Sequence, residues 1–371
     1  MARFDRYMLS QLMVTFGMFA LVLVLVYWIN RAVRLFDQII SSGESATVFL
    51  ELSVLTLPNV IKLVVPVAAF AATVYVVNRL SNESELVIVQ STGYSPWRLA
   101  RPVVLFGLIV AVFTSVLSHF LVPASLARLS ERQDEIAENV TARLLVEGRF
   151  LHPSDGVTFY IARISPEGEM FDIFLSDARS GERRTAYNAE RALLVRGDHS
   201  PKLLMFDGMA QTFDAESTRL SITRFDQFTL DISSLLDTPQ TGADRIQEMP
   251  TSVLFDPSPE MLAETRSSLP QALYEAHTRI TMSLLSITAP LLGFATLILG
   301  GFTRFGIWHR ILGAIGFLVI LQALSTSLTD IVLTRASNWP LHYLPTIAAL
   351  GLGVGLLWLA ANPGILRRRA R

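Results

Sequence analysis

The chain has 371 residues, of which 51% are hydrophobic and only 17% charged, with a mean hydropathy of +0.43. A soluble domain of that length carries more charge, so about half of the chain is read as lying in lipid. A net charge of −1 leaves no basic footprint for nucleic acid, and the lack of Cys excludes disulfides, thiolate metal sites and cysteine nucleophiles.

A membrane-crossing helix needs roughly 20 apolar residues. Residues 7–30 contain no charge and form the first expected span. The run is too long for a cleaved signal peptide, and no small-residue cleavage site precedes the next polar stretch. Arg31 and Arg34 follow, three apart and on one face if the helix continues. They read as interfacial anchors or as phosphate ligands, since the guanidinium fork matches phosphate oxygens. Residues 52–78 form the second span, with Lys62 as its single charge. Lys62 lies about 15 Å along that helix. At such a depth it either snorkels to the headgroups or serves function.

Residues 79–94 join the second and third spans as Arg-Leu-Ser-Asn-Glu-Ser-Glu-Leu-Val-Ile-Val-Gln-Ser-Thr-Gly-Tyr. Asn82 with Glu85 three residues later is a capping-box-like start, and Gly93 is a natural stop. The spacing predicts a helix of about ten residues near 82–93, with Glu83 and Glu85 in its first turn and Leu86 behind them. No loop on that side is long enough to cover it. Either it rests on headgroups or it docks on a soluble partner.

The third span, 102–127, contains His119. An insert over 128–279 follows, unlike the rest in composition. Alternating apolar positions at Val157, Phe159 and Ile161, at Phe171, Ile173 and Leu175, and at Leu220, Ile222, Phe228, Leu230 and Ile232 predict half-buried strands. Turn-forming residues separate them, as expected of a sandwich or jelly roll. The flanks 129–145 and 259–277 favour helix, and 236–258 reads as an irregular connector. Residues 280–303, 311–329 and 341–361 give three more spans. On the fifth, Gln322, Thr326 and Thr329 or Asp330 form a polar stripe at helical spacing, which in lipid faces protein or a wet cavity. Pro58, Pro66 and Pro290 are expected to kink their helices.

The expected fold is therefore a bundle of six transmembrane helices with an inserted all-β, jelly-roll-like domain. It divides into 1–127, 128–279 and 280–371. Arg3, Arg6, Arg79, Arg98, Arg101, Arg304, Arg310, Arg367, Arg368, Arg369 and Arg371 fall on one side, and Arg31, Arg34 and Arg335 on the other. That asymmetry places both termini and the basic tail in the cytoplasm and the insert outside.

No nucleotide-binding loop, dinucleotide fingerprint or H-E-x-x-H motif is present, and the six His residues are scattered over several compartments. Neither a catalytic group nor a metal site is expected.

Three segments carry a resemblance: Arg6-Tyr7 at the mouth of the first span, the Asn82-Glu83-Ser84-Glu85 loop ending in Gly93-Tyr94-Ser95, and 128–139 after the third span. With the architecture, they resemble the lipopolysaccharide export permeases, the LptF/LptG family, over nearly the whole chain. The Glu-Ser-Glu loop and Arg132-Gln133-Asp134-Glu135 are closer to the LptF branch than to the LptG branch. Ser91, Thr92 and Tyr94 depart from the family pattern. The resemblance implies a bacterial inner-membrane permease of an ABC transporter, paired with a second, LptG-like permease. It also implies a dimeric cytoplasmic ATPase (LptB-like) holding the ATP, with no cofactor in this chain, and periplasmic bridge components (LptC- and LptA-like). Glu85, then Glu83, with Leu86 and Gly93, would engage the ATPase. Lipopolysaccharide would meet Arg31, Arg34, Lys62, Gln322, Thr326 and Asp330, because the family's first and fifth spans line its lateral opening.

Energetics agree with that reading. Pulling acyl chains from a bilayer costs about 0.8 kcal/mol per exposed CH₂, so a shielded path and an outside energy source are both required. Two other readings are a membrane enzyme acting on lipid-linked sugars and a permease of a lipoprotein-handling transporter, the latter usually with four spans.

Overall fold

The computed structural model describes residues 3–42, 46–144, 147–152, 156–166, 168–180, 183–196, 201–214, 218–231, 242–299 and 308–362. Ile232, His199, Arg304, residues 367–371 and the side chain of Arg34 lie outside the described residues. Two compact units emerge, Met1–Ser130 with Thr241–Arg371, and Glu131–Gln240.

Among the described residues, six helices are long and apolar enough to cross a membrane. Helix α1 spans Arg3–Ser42 and α2 spans Ala46–Asn82. A short α3, Glu85–Ser91, precedes α4, Pro96–Val116, which passes through a π-helical turn, Leu117–Leu121, into α5, Val122–Leu144. After the insert come α9, Leu269–Ile298, and α10, Trp308–Thr334. A 3₁₀ helix, Ala336–Tyr343, leads into α11, Leu344–Ala361. All six expected spans are present, most of them longer than their apolar runs. Helix α1 continues past Asn30 because residues 31–42 contain neither Pro nor Gly to stop it. Pro58, Pro66 and Pro290 all sit inside helices.

Helix α9 is the centre of this unit and packs against α2, α4, α10 and α11. Of its apolar stretch 67% is buried, against 11% for α1 and 11% for α10. The chain therefore supplies its own neighbours for α9 but leaves most of α1 and α10 uncovered. Met8, Leu12, Leu80, Leu99, Phe106 and Phe294 form the fully buried heart of the bundle. Thr114 and Ser286 share a hydroxyl hydrogen bond of 3.0 Å between α4 and α9. Such a bond satisfies two polar groups that lipid could not.

The expected irregular connector is instead partly helical. Helices α6, Gly242–Glu248, α7, Thr251–Phe255, and α8, Pro259–Glu264, bury Ile246, Leu254 and Met261 against Ala272 and Ala276 of α9. Their polar composition hid three apolar anchors at irregular spacing. The flank 259–277, read as helix-favouring, is taken up by α8 and the start of α9. Ser258 Oγ accepts the Met261 amide at the start of α8, and Ser268 and Gln271 form a capping box that opens α9.

The other unit contains β1, Phe150–Leu151, β2, Val157–Ile164, β3, Met170–Ser180, β4, Arg183–Arg196, β5, Pro201–Asp214, and β6, Arg219–Asp231. They pair antiparallel in chain order, a six-stranded meander. The all-β reading holds, with hairpin connections in place of the Greek-key crossovers of a formal jelly roll. Val157, Phe159, Ile161, Ile173, Leu175 and Met205 lie in its core. Phe171, expected beside Ile173 and Leu175, is only half-buried, with Arg163 stacked on its ring. The reason is local: Asp172 takes φ 50, and the buried alternation restarts after it, with Met170 and Ile173 both inside. Leu220 and Ile222, read as half-buried, are each 57% exposed because β6 ends the sheet. Hydrogen bonding from Arg179 holds the Asp177 carboxyl below the usual carboxylate range, and burial pushes the Tyr187 phenol up.

Gly208 marks the tightest approach in the sheet. A Cβ there would lie 2.4 Å from the Asn188 carbonyl oxygen and 2.6 Å from the Phe225 ring. Gly208→Ala is expected to destabilise the unit by about 1–3 kcal/mol. Faster amide hydrogen exchange over β4–β6 of the full-length protein in detergent checks it.

Candidate functional site

The α3 end of the bundle is built from three helices. Helix α2 does not stop before Asn82 but runs through it, and the Glu83 amide still bonds the Arg79 carbonyl at 2.9 Å. Ser84 then turns the chain with φ 62, and α3 begins at Glu85 without a side-chain cap. The predicted capping box between Asn82 and Glu85 therefore does not form: Asn82 is spent inside α2, and α3 has seven residues. Gly93 ends it as expected, at φ 90, a conformation that costs glycine little, with its amide on the Gln90 carbonyl.

Leu86, 4% exposed, seats α3 in the bundle core, where Phe4, Val89 and Tyr94 also pack. It anchors the helix. Ile88 points the other way and is 62% exposed. Glu83 is exposed and lies 3.5 Å from Arg79, while Glu85 is half-exposed and accepts from the Tyr7 hydroxyl at 3.4 Å. Arg79 also donates to Gln11 at 3.3 Å and to the Tyr7 hydroxyl at 3.5 Å. These bonds are long, hence weak individually. Together they tie the first turn of α3 to α1 and α2 while leaving its outer face open. Tyr7, Gln11 and Arg79 had no assigned role in the sequence; Tyr7 and Gln11, four apart on α1, were the available sign.

At the far end of the spans lies a second polar cluster. Arg279 of α9 is 1% exposed. Its Nε donates to Glu275 at 3.0 Å, its Nη1 to the Met249 carbonyl and to Thr251 Oγ1 at 2.9 Å each, and its Nη2 to the Gln247 carbonyl at 3.0 Å. Thr251 also contacts His119 Nδ1 at 2.9 Å, so the π-helical turn, α7 and α9 share one network. A π-helical turn adds a residue to its helix and often marks a functional position. Lys62 is half-buried on α2, within electrostatic range of both Glu275 and Arg279. Also on α9, His277 stacks on Trp339 at 4.4 Å and bonds the Tyr343 hydroxyl at 2.8 Å. His342 meets Thr278 and Thr281 at 3.2 and 3.0 Å. Glu275 and Arg279, four apart at the start of an apolar helix, were the legible trace of this cluster.

The remaining expected contacts are placed separately. Arg31 is exposed on α1. Gln322, Thr326 and Asp330 are exposed on α10, whereas Thr329 turns inward and meets the Tyr274 hydroxyl at 3.3 Å. Helix α1 packs on α2 and α4, and α10 on α9 and α11, so among the described residues Arg31 and the α10 stripe stand on separately packed helices.

Residues 6–359 match the family described as lipopolysaccharide export system permease LptF/LptG. The chain is 25% identical over 287 residues to the uncharacterized protein RP871 of Rickettsia prowazekii, covering 76% of this chain and 77% of that one. It is 24% identical over 174 residues to the lipopolysaccharide export system permease protein LptF of Escherichia coli K12, covering 46% and 45% of the two chains. Against the LptG permease protein of Haemophilus influenzae it is 26% identical over 128 residues, covering 33% and 34%. The alignments thus span less than half of the last two proteins. The family match, in contrast, runs through every span and the inserted sheet, and on that breadth this chain belongs to the lipopolysaccharide export permease family LptF/LptG.

Proposed function

We propose that this chain is a permease subunit of an ATP-driven transporter that extracts lipopolysaccharide from the inner membrane. It would pair with a second permease, draw energy from a cytoplasmic ATPase and pass its cargo through the β unit to a periplasmic bridge. The supporting observation is α3, a short helix anchored by Leu86 and by the Tyr7–Glu85 contact, with Ile88 and Glu83 left open outside. A lever of this kind needs a motor on another subunit, because the sequence carries no nucleotide-binding loop.

The exposed faces of α1 and α10 fit the same reading. Polar groups in lipid require a protein neighbour or a wet cavity, and among the described residues Gln322, Thr326 and Asp330 are exposed, with Thr326 bonded to the Gln322 carbonyl of its own helix. A partner permease closing against α10 and α1 would enclose them, with Arg31, Arg34 and Lys62 offered to phosphates. In this orientation both termini and α3 are cytoplasmic, and the β unit is periplasmic.

Affinity purification of the tagged full chain from its native membrane tests the proposal. A second six-helix permease and an ATPase are expected to co-elute, with ATP hydrolysis only in the assembled complex. Nucleotide hydrolysis by the isolated chain, or turnover of a lipid-linked sugar without any partner, would overturn it.

A further inference from the structure

One face of α4 forms the wall of an open groove. Trp97, Arg101, Val104 and Leu108 line one side, and Leu291 of α9 and Leu357 of α11 the other. The cavity measures about 440 Å³, within the range of small-ligand sites, and its lining is almost wholly apolar. From Trp97 to Leu108 the groove runs about 16 Å along the helix, close to the depth of one bilayer leaflet. It begins at the end of the bundle that carries α3, since α4 follows α3 after four residues. No residue of α1 or α10, the two least covered spans, takes part in it.

The mouth of the groove differs from its floor. Arg101 is exposed and has no hydrogen-bond or ion-pair partner among the described residues. Its neighbour Arg98 is already engaged, stacked 4.0 Å over the Tyr94 ring. Trp97, also exposed, sits one turn before Arg101, where an indole has an apolar body for the tails and an N–H for the headgroups. A free guanidinium at the surface above an apolar slot of one-leaflet depth matches one chemistry: a phosphate joined to a hydrocarbon chain.

We propose that this groove holds an anionic phospholipid of the α3-side leaflet, with one acyl chain along Val104 and Leu108 and its phosphate on Arg101. Basic pockets between membrane helices on the cytoplasmic side bind lipid headgroups in the same manner. The groove shares no lining residue with Arg31, Lys62 or the polar stripe of α10, so its lipid is a constituent of the subunit and not its cargo. Its consequence is mechanical: it braces the start of α4 directly behind α3. The assignment needs neither lipopolysaccharide nor ATPase contact, so it stands or falls apart from the transport reading.

Native mass spectrometry of the full chain, in the complex with which it purifies, tests the site after delipidation and return of phosphatidylglycerol or phosphatidylcholine. Retention of phosphatidylglycerol is expected to exceed that of phosphatidylcholine about fivefold, as one surface arginine allows. Arg101→Gln should bring that ratio to about one, and Leu108→Trp, which fills the groove, should lower retention of both lipids. Arg101 is exposed and unpartnered, so its variant carries the test alone if Leu108→Trp fails to assemble. Equal retention of the two lipids by the native protein, or an undiminished preference in Arg101→Gln, overturns the assignment. So does full competition by glycerol 1-phosphate, which has the headgroup charge but no chain.

Discussion

Arg279→Met is expected to destabilise the membrane unit by about 3–5 kcal/mol, the usual result of removing one partner from a buried ion pair. The loss is not that of one contact. Met has no donors, so the carbonyls of Gln247 and Met249, Thr251 Oγ1 and the Glu275 carboxylate each lose a hydrogen bond. Glu275 would be left as an unpaired carboxylate at the head of an apolar helix, with Lys62 within electrostatic range. The measurement is the midpoint of thermal unfolding in detergent, read with the fraction of protein surviving size-exclusion chromatography. Arg279→Met combined with Glu275→Leu should recover a large part of the loss, since an ion pair replaced whole by apolar groups costs little. A single variant as stable as the native protein would show that the network contributes nothing.

Glu85→Lys is expected to lower ATPase co-purification and coupled lipid export by more than about tenfold. Truncating one partner of an interfacial charge pair typically costs about 2–5 kcal/mol, and reversing the sign adds repulsion. Among the described residues the substitution removes only the long bond from Tyr7, so the fold should persist. Tyr7→Phe is the control: it deletes that bond and leaves the carboxylate, and it should retain most of the association. If Glu85→Lys keeps full association and export, the coupling surface lies elsewhere, with Glu83 and Ile88 next in line by exposure.

Much of the architecture was legible because lipid imposes a simple rule. A helix without charge over roughly 20 residues has one stable place to be, so the spans could be located without knowing what they touch. The strands at Val157–Ile164 were equally plain, because a sheet with one covered face must alternate. Alternation failed where its assumption failed. Asp172, at a positive φ, shifted Phe171 off the inner face, and among the described residues nothing covers Leu220 and Ile222 of the last strand.

The candidate sites were legible only as residue types. Lys62 and the α10 stripe stood out because charge and polarity are rare in membrane spans, and Glu85 because of its capping-box spacing from Asn82, but neither signal says what a side chain faces. Leu86 was visible as apolar, yet only packing against Phe4 and Tyr94 makes it the anchor of α3. The start of α3 moved by three residues because α2 continued through Asn82.

Composition and hydrophobic period by themselves determined the number of membrane helices, the place of the insert and its β character. Tertiary structure decided the rest. Arg279 draws three of its four partners from residues 28 to 32 positions away, and Tyr7 reaches Glu85 across 78. Burial of a run is a property of that run and its solvent, whereas a hydrogen-bond network exists only once chain folding has carried distant donors and acceptors to within about 3 Å of each other.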